Sequence, residues 1–450
     1  MSKDIKIKKG LNINLKGKAD KTLSKAPRSK TFVIRPSDFH LIIPKMVVKE
    51  GAKIRAGDVI FYSKSQEEIK FVSPVSGTLV NIVRGAKRVI KEIIIEAEQH
   101  DSYKDFGVLN PDSMNPEEIK NHLLASGCWP FIKQRPYDII ANPEVTPKAI
   151  FVSAFTTAPL AADYDFTLKG KEKELQAAVT ALSKITKGTL HVCIGNNSEN
   201  AFRKLRDITL HSISGIHPAG NVGTQIGKID PVNKGETVWT ISPQDLVIIG
   251  ELLLTGKYNA ERIIALSGSS VNNPKYYSTI IGAEVSTFIQ DSGLNDEKAR
   301  IISGDVLTGT KISLKGHLGY YHNTVSSIPE GNDYEFFGWA KPVFNKQSIT
   351  RAFTFSWLFQ KKKYNLNTNT NGEQRAFVVT GNYEEVFPLD IYPLQLLKAC
   401  MVKDLDGMEQ LGMYEVAPED FSLTEFICVS KQPHQEIIRN GLDLMYKEIG

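Results

Sequence analysis

The sequence predicts a multidomain α/β chain, and three observations carry that expectation. Between 149 and 213, short apolar runs alternate with helical patterns in the order β-α-β-α-β, which implies a parallel sheet. With 450 residues, 41% of them hydrophobic, the chain has material for three or four cores. Its apolar runs are also short. The strongest, 246–254, contains Glu251 and falls far below the roughly 20 residues of a membrane span.

The chain opens with alternation. Ile5, Ile7, Leu11, Ile13 and Leu15 are separated by polar residues and broken at Gly10 and Gly17, which predicts a strand pair with one buried face. Further on, Gly51 and Gly57-Asp58 followed by Ser73-Pro74 and Gly77 are spaced as in the hammerhead of biotinyl and lipoyl carrier domains, which residues 1–108 resemble. In those carriers the modified lysine precedes the proline by eight residues; here that position is Gln66, flanked by Ser65 and Glu67, and Lys64 is out of register. The carrier fold is expected and the carrier chemistry is not.

A second segment, 109–258, begins after a Pro/Asn/Asp-rich stretch. Residues 149–154 read as a buried strand, and 171–187 as a helix with Leu175, Ala178, Val179, Leu182 and Ile185 on one face. Two more strands, 189–194 and 208–213, follow with a helix between them. The order is Rossmann-like. A dinucleotide site would need glycines in the turn after the first strand, so that pyrophosphate can rest on a helix N-terminus. That turn is Phe155-Thr-Thr-Ala-Pro-Leu-Ala-Ala-Asp163, and the next glycine is Gly170. Ser242-Pro243-Gln244-Asp245 predicts a helix start, with Ser242 as cap and Asp245 reaching back to complete the box. Residues 259–330 are a glycine-punctuated α+β stretch. From 331 to 450 the chain is expected to be mainly helical, with helices at 392–403 and 433–449.

Residues 214–232 carry four glycines, Gly215, Gly220, Gly223 and Gly227, where backbone must turn or come close to something. A P-loop would need glycine at Val222 and a hydroxyl at Ile229, so the run points to another ligand or to a protein partner. Within it His217 precedes Pro218. It could donate a hydrogen bond to a quinone carbonyl or shuttle a proton, or equally fix its own turn. His191 and Cys193 share a strand face without a second pair, and Asp163 and Asp165 are closely spaced. The four cysteines make no C-x-x-C pair, so zinc-ribbon and iron–sulfur patterns are absent. Residues 1–100 hold 21 Lys+Arg against 10 Asp+Glu, while the rest balance to −6. This asymmetry suggests an acidic partner or an anionic surface, or simply a solvated face. Arg84, Lys87 and Arg88 form a basic knuckle inside it. Neither a secretory signal nor a span is read, so a cytoplasmic chain is expected.

Many short motifs then agree with one family. Glu50-Gly51, Arg84-Gly-Ala-Lys-Arg88, Pro159-Leu-Ala-Ala-Asp163, His217-Pro-Ala-Gly-Asn-Val-Gly-Thr-Gln225, Asp230-Pro-Val232, Val238-Trp239, Gln244-Asp245, Ser303-Gly-Asp-Val-Leu307, Phe337-Gly-Trp339 and Pro388-Leu-Asp390 resemble, in order along the whole chain, the A subunit of the bacterial Na⁺-translocating NADH:quinone reductase. The resemblance implies a peripheral protein on the cytoplasmic face of the inner membrane. Its partners would be the other subunits, B to F, with the membrane-embedded B subunit foremost, in a complex that oxidises NADH, reduces quinone and exports Na⁺. It implies a β-grasp-like domain over 259–330. NADH, FAD, FMN, iron–sulfur and quinone belong to that complex, with no cofactor expected in this chain. Contact with quinone or a partner is assigned to His217, Gly220, Gly223 and Gln225, and a basic partner patch to Arg84, Lys87 and Arg88. Where relatives usually show Thr-His-Ile-His, this chain has Thr224-Gln225-Ile226-Gly227, so no role of those two histidines carries over. The rival readings are a stand-alone flavin- or nicotinamide-dependent oxidoreductase, which lacks its glycine turn, and a biotin or lipoyl carrier, which lacks its lysine.

Overall fold

A computed structural model describes residues 2–332, 335–338, 340–342, 344, 346–349, 353–356, 358 and 362–450; Trp339 of the Phe337-Gly-Trp339 motif lies outside the described residues. The predicted β-α-β-α-β segment forms the middle of a seven-stranded sheet. In spatial order its strands are Asp4–Ile7, Thr209–Gly215, Thr189–Gly195, Ala149–Ser153, Val238–Thr240, Lys133–Arg135 and Ile139–Ile140. The first five run parallel; Lys133–Arg135 runs antiparallel to them and pairs antiparallel with Ile139–Ile140. Both faces are covered, as a strand apolar at every position requires. Ile150 and Val152 share a core with Leu175, Ala178 and Leu182 of helix Glu172–Lys184 and with Leu246 and Ile249 of helix Pro243–Thr255. On the opposite face Ala149 and Phe151 meet Ile226 of helix Val222–Ile229.

Three sequence expectations change here. The strand pair over residues 5–15 is one strand, Asp4–Ile7, and its partner lies 208 residues away: Ile5 aligns with Ile213. Alternation reports a half-buried strand but not its neighbour. Between Thr189–Gly195 and Thr209–Gly215 there is a short 3-10 turn, Ala201–Lys204, instead of a helix; the connection is short, and its Asn-Asn-Ser start offers no helical apolar period. Helix Pro243–Thr255 begins at Ser242 without a side-chain capping bond, and Asp245 does not reach back. Its carboxylate is drawn instead to the buried guanidinium of Arg262.

Two smaller sheets surround the N-terminal core. One holds Thr31–Ile34, Ile90–Ala97, Gly77–Arg84 and Lys53–Ile54; the other holds Pro44–Met46, Val59–Ser63 and Lys70–Val72. Phe61 and Phe71 stack at 4.4 Å beneath the hairpin that carries Gln66. A six-stranded mixed sheet contains Glu261–Ser267, Lys275–Ile280, Arg300–Ser303, Thr310–Ile312 and Thr324–Ile328, with Asp20–Lys25 added at its edge. The C-terminal part is helical, including Pro393–Val402 and His434–Ile449. Its core is separate and includes Leu396, Leu397, Met413, Phe421, Ile438 and Leu442.

Candidate functional site

The chain reverses direction across the large sheet at Ala149–Ser153. From that strand it moves one way to Thr189–Gly195 and Thr209–Gly215, then returns to Val238–Thr240 on the other side. Connections that depart in opposite directions leave a crevice beyond the carboxyl ends of the two central strands, where open α/β sheets place their ligands. A cavity of about 310 Å³ occupies that position. Ser153, Phe155, Thr157 and Ala158 line it from the first strand's exit, and Thr240, Ser242 and Asp245 from the second's. The six-stranded region closes the side with Asp305, Tyr321, His322 and Asn323, and Glu419 comes from the helical end.

Of the sequence-predicted residues, Gly220 reaches the cavity wall, together with Asn221 and Val222. A Cβ on Gly220 would lie 2.6 Å from the backbone nitrogen of Thr157 and 2.7 Å from the carbonyl oxygen of Phe155. The glycine lets this turn lie against the exit loop of the central strand. Gln225 sits on helix Val222–Ile229 and is buried. Its Nε2 donates to Ser153 Oγ at 2.8 Å and to the Ala219 carbonyl at 3.1 Å, and Ser153 Oγ donates to the Gly220 carbonyl at 2.8 Å. Together they hold the glycine turn over the strand end.

His217 is 2% exposed and does not line the cavity. Thr157 Oγ1 accepts from the Gly220 N–H at 2.9 Å and lies within hydrogen-bond distance of His217 Nδ1, 3.1 Å away. The other ring nitrogen, Nε2, is buried with no partner among the described residues. Burial lowers the imidazole to about 4, so it is neutral at physiological pH. The His217 N–H donates to Asn12 Oδ1 at 3.0 Å, which ties the loop to the N-terminal run.

Gly223 is buried on helix Val222–Ile229, next to the cavity-lining Val222. A Cβ there would come within 2.3 Å of Asp420 Oδ1 and 2.5 Å of Arg135 Nη1. Arg135, 1% exposed, donates from Nη1 to Asp420 Oδ2 at 2.7 Å and from Nη2 to Glu419 Oε1 at 2.8 Å. This pair joins the strand Lys133–Arg135 to the helical end and is the main contact that sequence reading missed. Nothing in an isolated arginine or an Asp-Glu turn announces that they meet across 285 residues. The second buried pair, Asp245 with Arg262, stands beside the cavity, where burial pushes the aspartate carboxyl up and the guanidinium opposes it.

The remaining candidates have structural partners. His191 Nδ1 and His211 Nε2 are 2.9 Å apart, and the Lys3 N–H donates to His211 Nδ1. Cys193 is buried, with its thiol pushed up to about 12. No group of three metal-binding side chains occurs among the described residues. Asp163 pairs with Lys21 at 2.7 Å, while Asp165 accepts from Ser198 and Asn200. Arg84, Lys87 and Arg88 are all exposed at the tip between strands Gly77–Arg84 and Ile90–Ala97. Gln66 donates to Asn142 Oδ1 at 2.9 Å, so the tip of the carrier-like hairpin leans on the α/β region.

Comparison with known proteins follows the same layout. Residues 5–98 match the family described as the NqrA N-terminal barrel-sandwich hybrid domain, 114–258 the NqrA second alpha/beta domain, and 263–313 the NQRA C-terminal domain. The A subunit of the Na(+)-translocating NADH-quinone reductase of Neisseria meningitidis serogroup B is 38% identical over 449 residues, covering 99% of this chain and 100% of that one. The same protein from Haemophilus influenzae strain PittGG is likewise 38% identical over 449 residues, with the same coverage. Among solved structures, an NAD+-reducing NiFe-hydrogenase in the H2-reduced state aligns over 68% of this chain and 70% of its own at 9% identity, with a TM-score of 0.35.

Proposed function

Because this chain belongs to the NqrA family, the A subunits of the Na(+)-translocating NADH-quinone reductase, we propose that it serves the quinone-reducing end of that complex from the cytoplasmic face of a bacterial membrane. It docks on the membrane-embedded B subunit and contributes no nucleotide or iron–sulfur group of its own. The observation that carries this reading is the crevice at the sheet's reversal. It has the position of a ligand site, yet the turn that enters it, 155–163, lacks the glycines that would let a pyrophosphate reach a helix N-terminus. Its walls set the rings of Phe131, Phe155 and Tyr321 and the aliphatic Val222 and Ile241 beside many hydroxyls, the amides of Asn221 and Asn323, and the charged Lys133, Asp305 and Glu419. This mixture gives a quinone head group ring contacts and hydrogen-bonding groups for its carbonyls, or receives an inserted segment of a partner. Gly220 contributes backbone to that wall, and His217, Gly223 and Gln225 hold the wall in place from behind. The Rossmann-like, carrier-like and β-grasp-like descriptions of the three folded regions belong to the same proposal, as do the divisions at 108, 258 and 330.

No helix among the described residues is long and apolar enough to cross a membrane; in this proposal attachment runs through the B subunit and the membrane surface. The test uses the whole complex from its host. The chain is expected to sediment with membranes and to co-purify with the B subunit. Replacing Ala158 on the cavity wall by Trp is expected to lower quinone reduction while NADH oxidation by an artificial acceptor continues. A chain that stays in the supernatant while the other subunits sediment overturns the reading.

A further inference from the structure

Residues 334–364 hold ten of the chain's 40 aromatic side chains and two of its four tryptophans. The same stretch carries six Lys or Arg against one Glu, a balance of +5 that equals the net charge of the entire protein. An aromatic-rich segment of a folded domain is ordinarily its core. Here Phe336 is 88% exposed, Phe337 56% and Leu358 54%. Phe344, also exposed, stacks on Phe355 with ring centroids 5.8 Å apart, and Lys346 lies over the Phe353 ring.

The tertiary structure adds a second strip of charge. The N-terminal run 8–18 passes directly beside this segment. The Tyr364 N–H donates to the Asn14 carbonyl at 2.7 Å, the Lys16 N–H returns to the Tyr364 carbonyl at 2.9 Å, and Gln347 Nε2 reaches the Asn12 carbonyl at 3.1 Å. Lys8, Lys9, Lys16 and Lys18 on that run are exposed. Four lysines of the N-terminal run therefore lie on the stretch of chain that runs beside the segment carrying the exposed Phe336, Phe337 and Phe344.

We infer that these two stretches form a lipid-contact surface: the exposed rings of Phe336, Phe337 and Phe344 enter the interfacial layer of the bilayer, and Lys8, Lys9, Lys16 and Lys18 bind anionic phospholipid headgroups. Aromatic side chains settle at the headgroup level, and each lysine near an anionic leaflet strengthens binding by about fivefold. The commitment to lipid rests on complementarity. An anionic bilayer presents negative headgroups over an apolar layer, the two chemistries that exposed lysines and exposed rings match. The inference rests on the membrane-peripheral reading above and deepens it, because a surface that touches lipid directly would orient the chain on its membrane partner.

The experiment floats the full chain with two kinds of vesicle, phosphatidylcholine alone and phosphatidylcholine mixed with phosphatidylglycerol. The chain is expected to float with the mixed vesicles and to be released by high salt. The variant Phe336→Ser/Phe337→Ser is expected to bind them at least about tenfold more weakly, and Lys16→Glu/Lys18→Glu to lose more at low salt than at high. Unchanged melting of both variants excludes a folding defect as the cause. The lipid assignment is overturned if the parent chain floats with neither vesicle, or if the serine variant floats as well as the parent. If the parent does not float yet the serine variant detaches from the intact complex, the surface belongs to a protein partner; the lipid inference then fails while complex membership stands. Failure of the parent chain to join the complex at all would remove the premise of both.

Discussion

The hairpin around Gln66 and the crevice at the reversal of the large sheet end differently, one closed on a neighbour and the other open. At the hairpin the expected lysine is replaced, and the tip is bonded to Asn142 of the neighbouring region. At the crevice the phosphate-binding glycines are absent, but the space stays open, about 310 Å³ between the strand exits. The contrast separates two ways a strand end can be finished. A tip whose side chain serves a neighbour has become a packing element. A crevice with hydroxyls and rings on its walls retains room for a ligand or an inserted partner.

The sharpest way to break the comparison is at Gly223. A Val side chain there would collide with the Arg135–Asp420 pair, and disrupting a buried pair costs about 3–5 kcal/mol. Gly223→Val is therefore expected to lower the melting temperature of the isolated chain by several degrees, measured by calorimetry. An unchanged melt combined with failed assembly would show that the glycine serves a partner and not the fold.

A somewhat smaller effect is expected from His217. Its pKa is lowered by burial to about 4, below the ordinary histidine value of 6.5. The unfolded chain thus binds a proton that the folded chain does not. The stability this neutral imidazole contributes is complete above about pH 6.5 and is lost as the pH falls towards about 4, amounting to about 3 kcal/mol at most. His217→Gln should flatten that part of the acid-denaturation profile relative to the parent. Equal profiles would mean that the imidazole is hydrated in solution.

The smallest effect belongs to the hairpin. Gln66→Lys restores the carrier lysine but removes a single hydrogen bond, worth about 1 kcal/mol. The variant is expected to melt within a few degrees of the parent and, by intact mass, to acquire no biotin or lipoyl group. A loss larger than that of Gly223→Val would reverse the assignment of which region carries the structure.

Local chemistry made much of this legible from the sequence. Helix Glu172–Lys184 announces itself through apolar residues on one face, and Pro393–Val402 and His434–Ile449 begin and end close to the expected positions. The parallel strands around Ala149–Ser153 were readable because strands buried on both faces are apolar throughout. The family was legible from short motifs spread along the whole chain, and the relatives at 38% identity agree with it. Such features depend on residues a few positions apart, where periodicity and turn preference act.

Only the tertiary structure decided what distant residues do to one another. It sent Asp4–Ile7 to a strand 208 residues away and Asp20–Lys25 to the six-stranded sheet. It took Asp245 from its capping role to Arg262, and it placed Arg135 against Asp420 under Gly223. It also laid the lysines of the N-terminal run beside the aromatic segment at 334–364. A charge taken from water seeks the nearest opposite charge or hydrogen-bond partner in space. Which partner that is depends on how the sheets stack, a long-range outcome that no local pattern encodes.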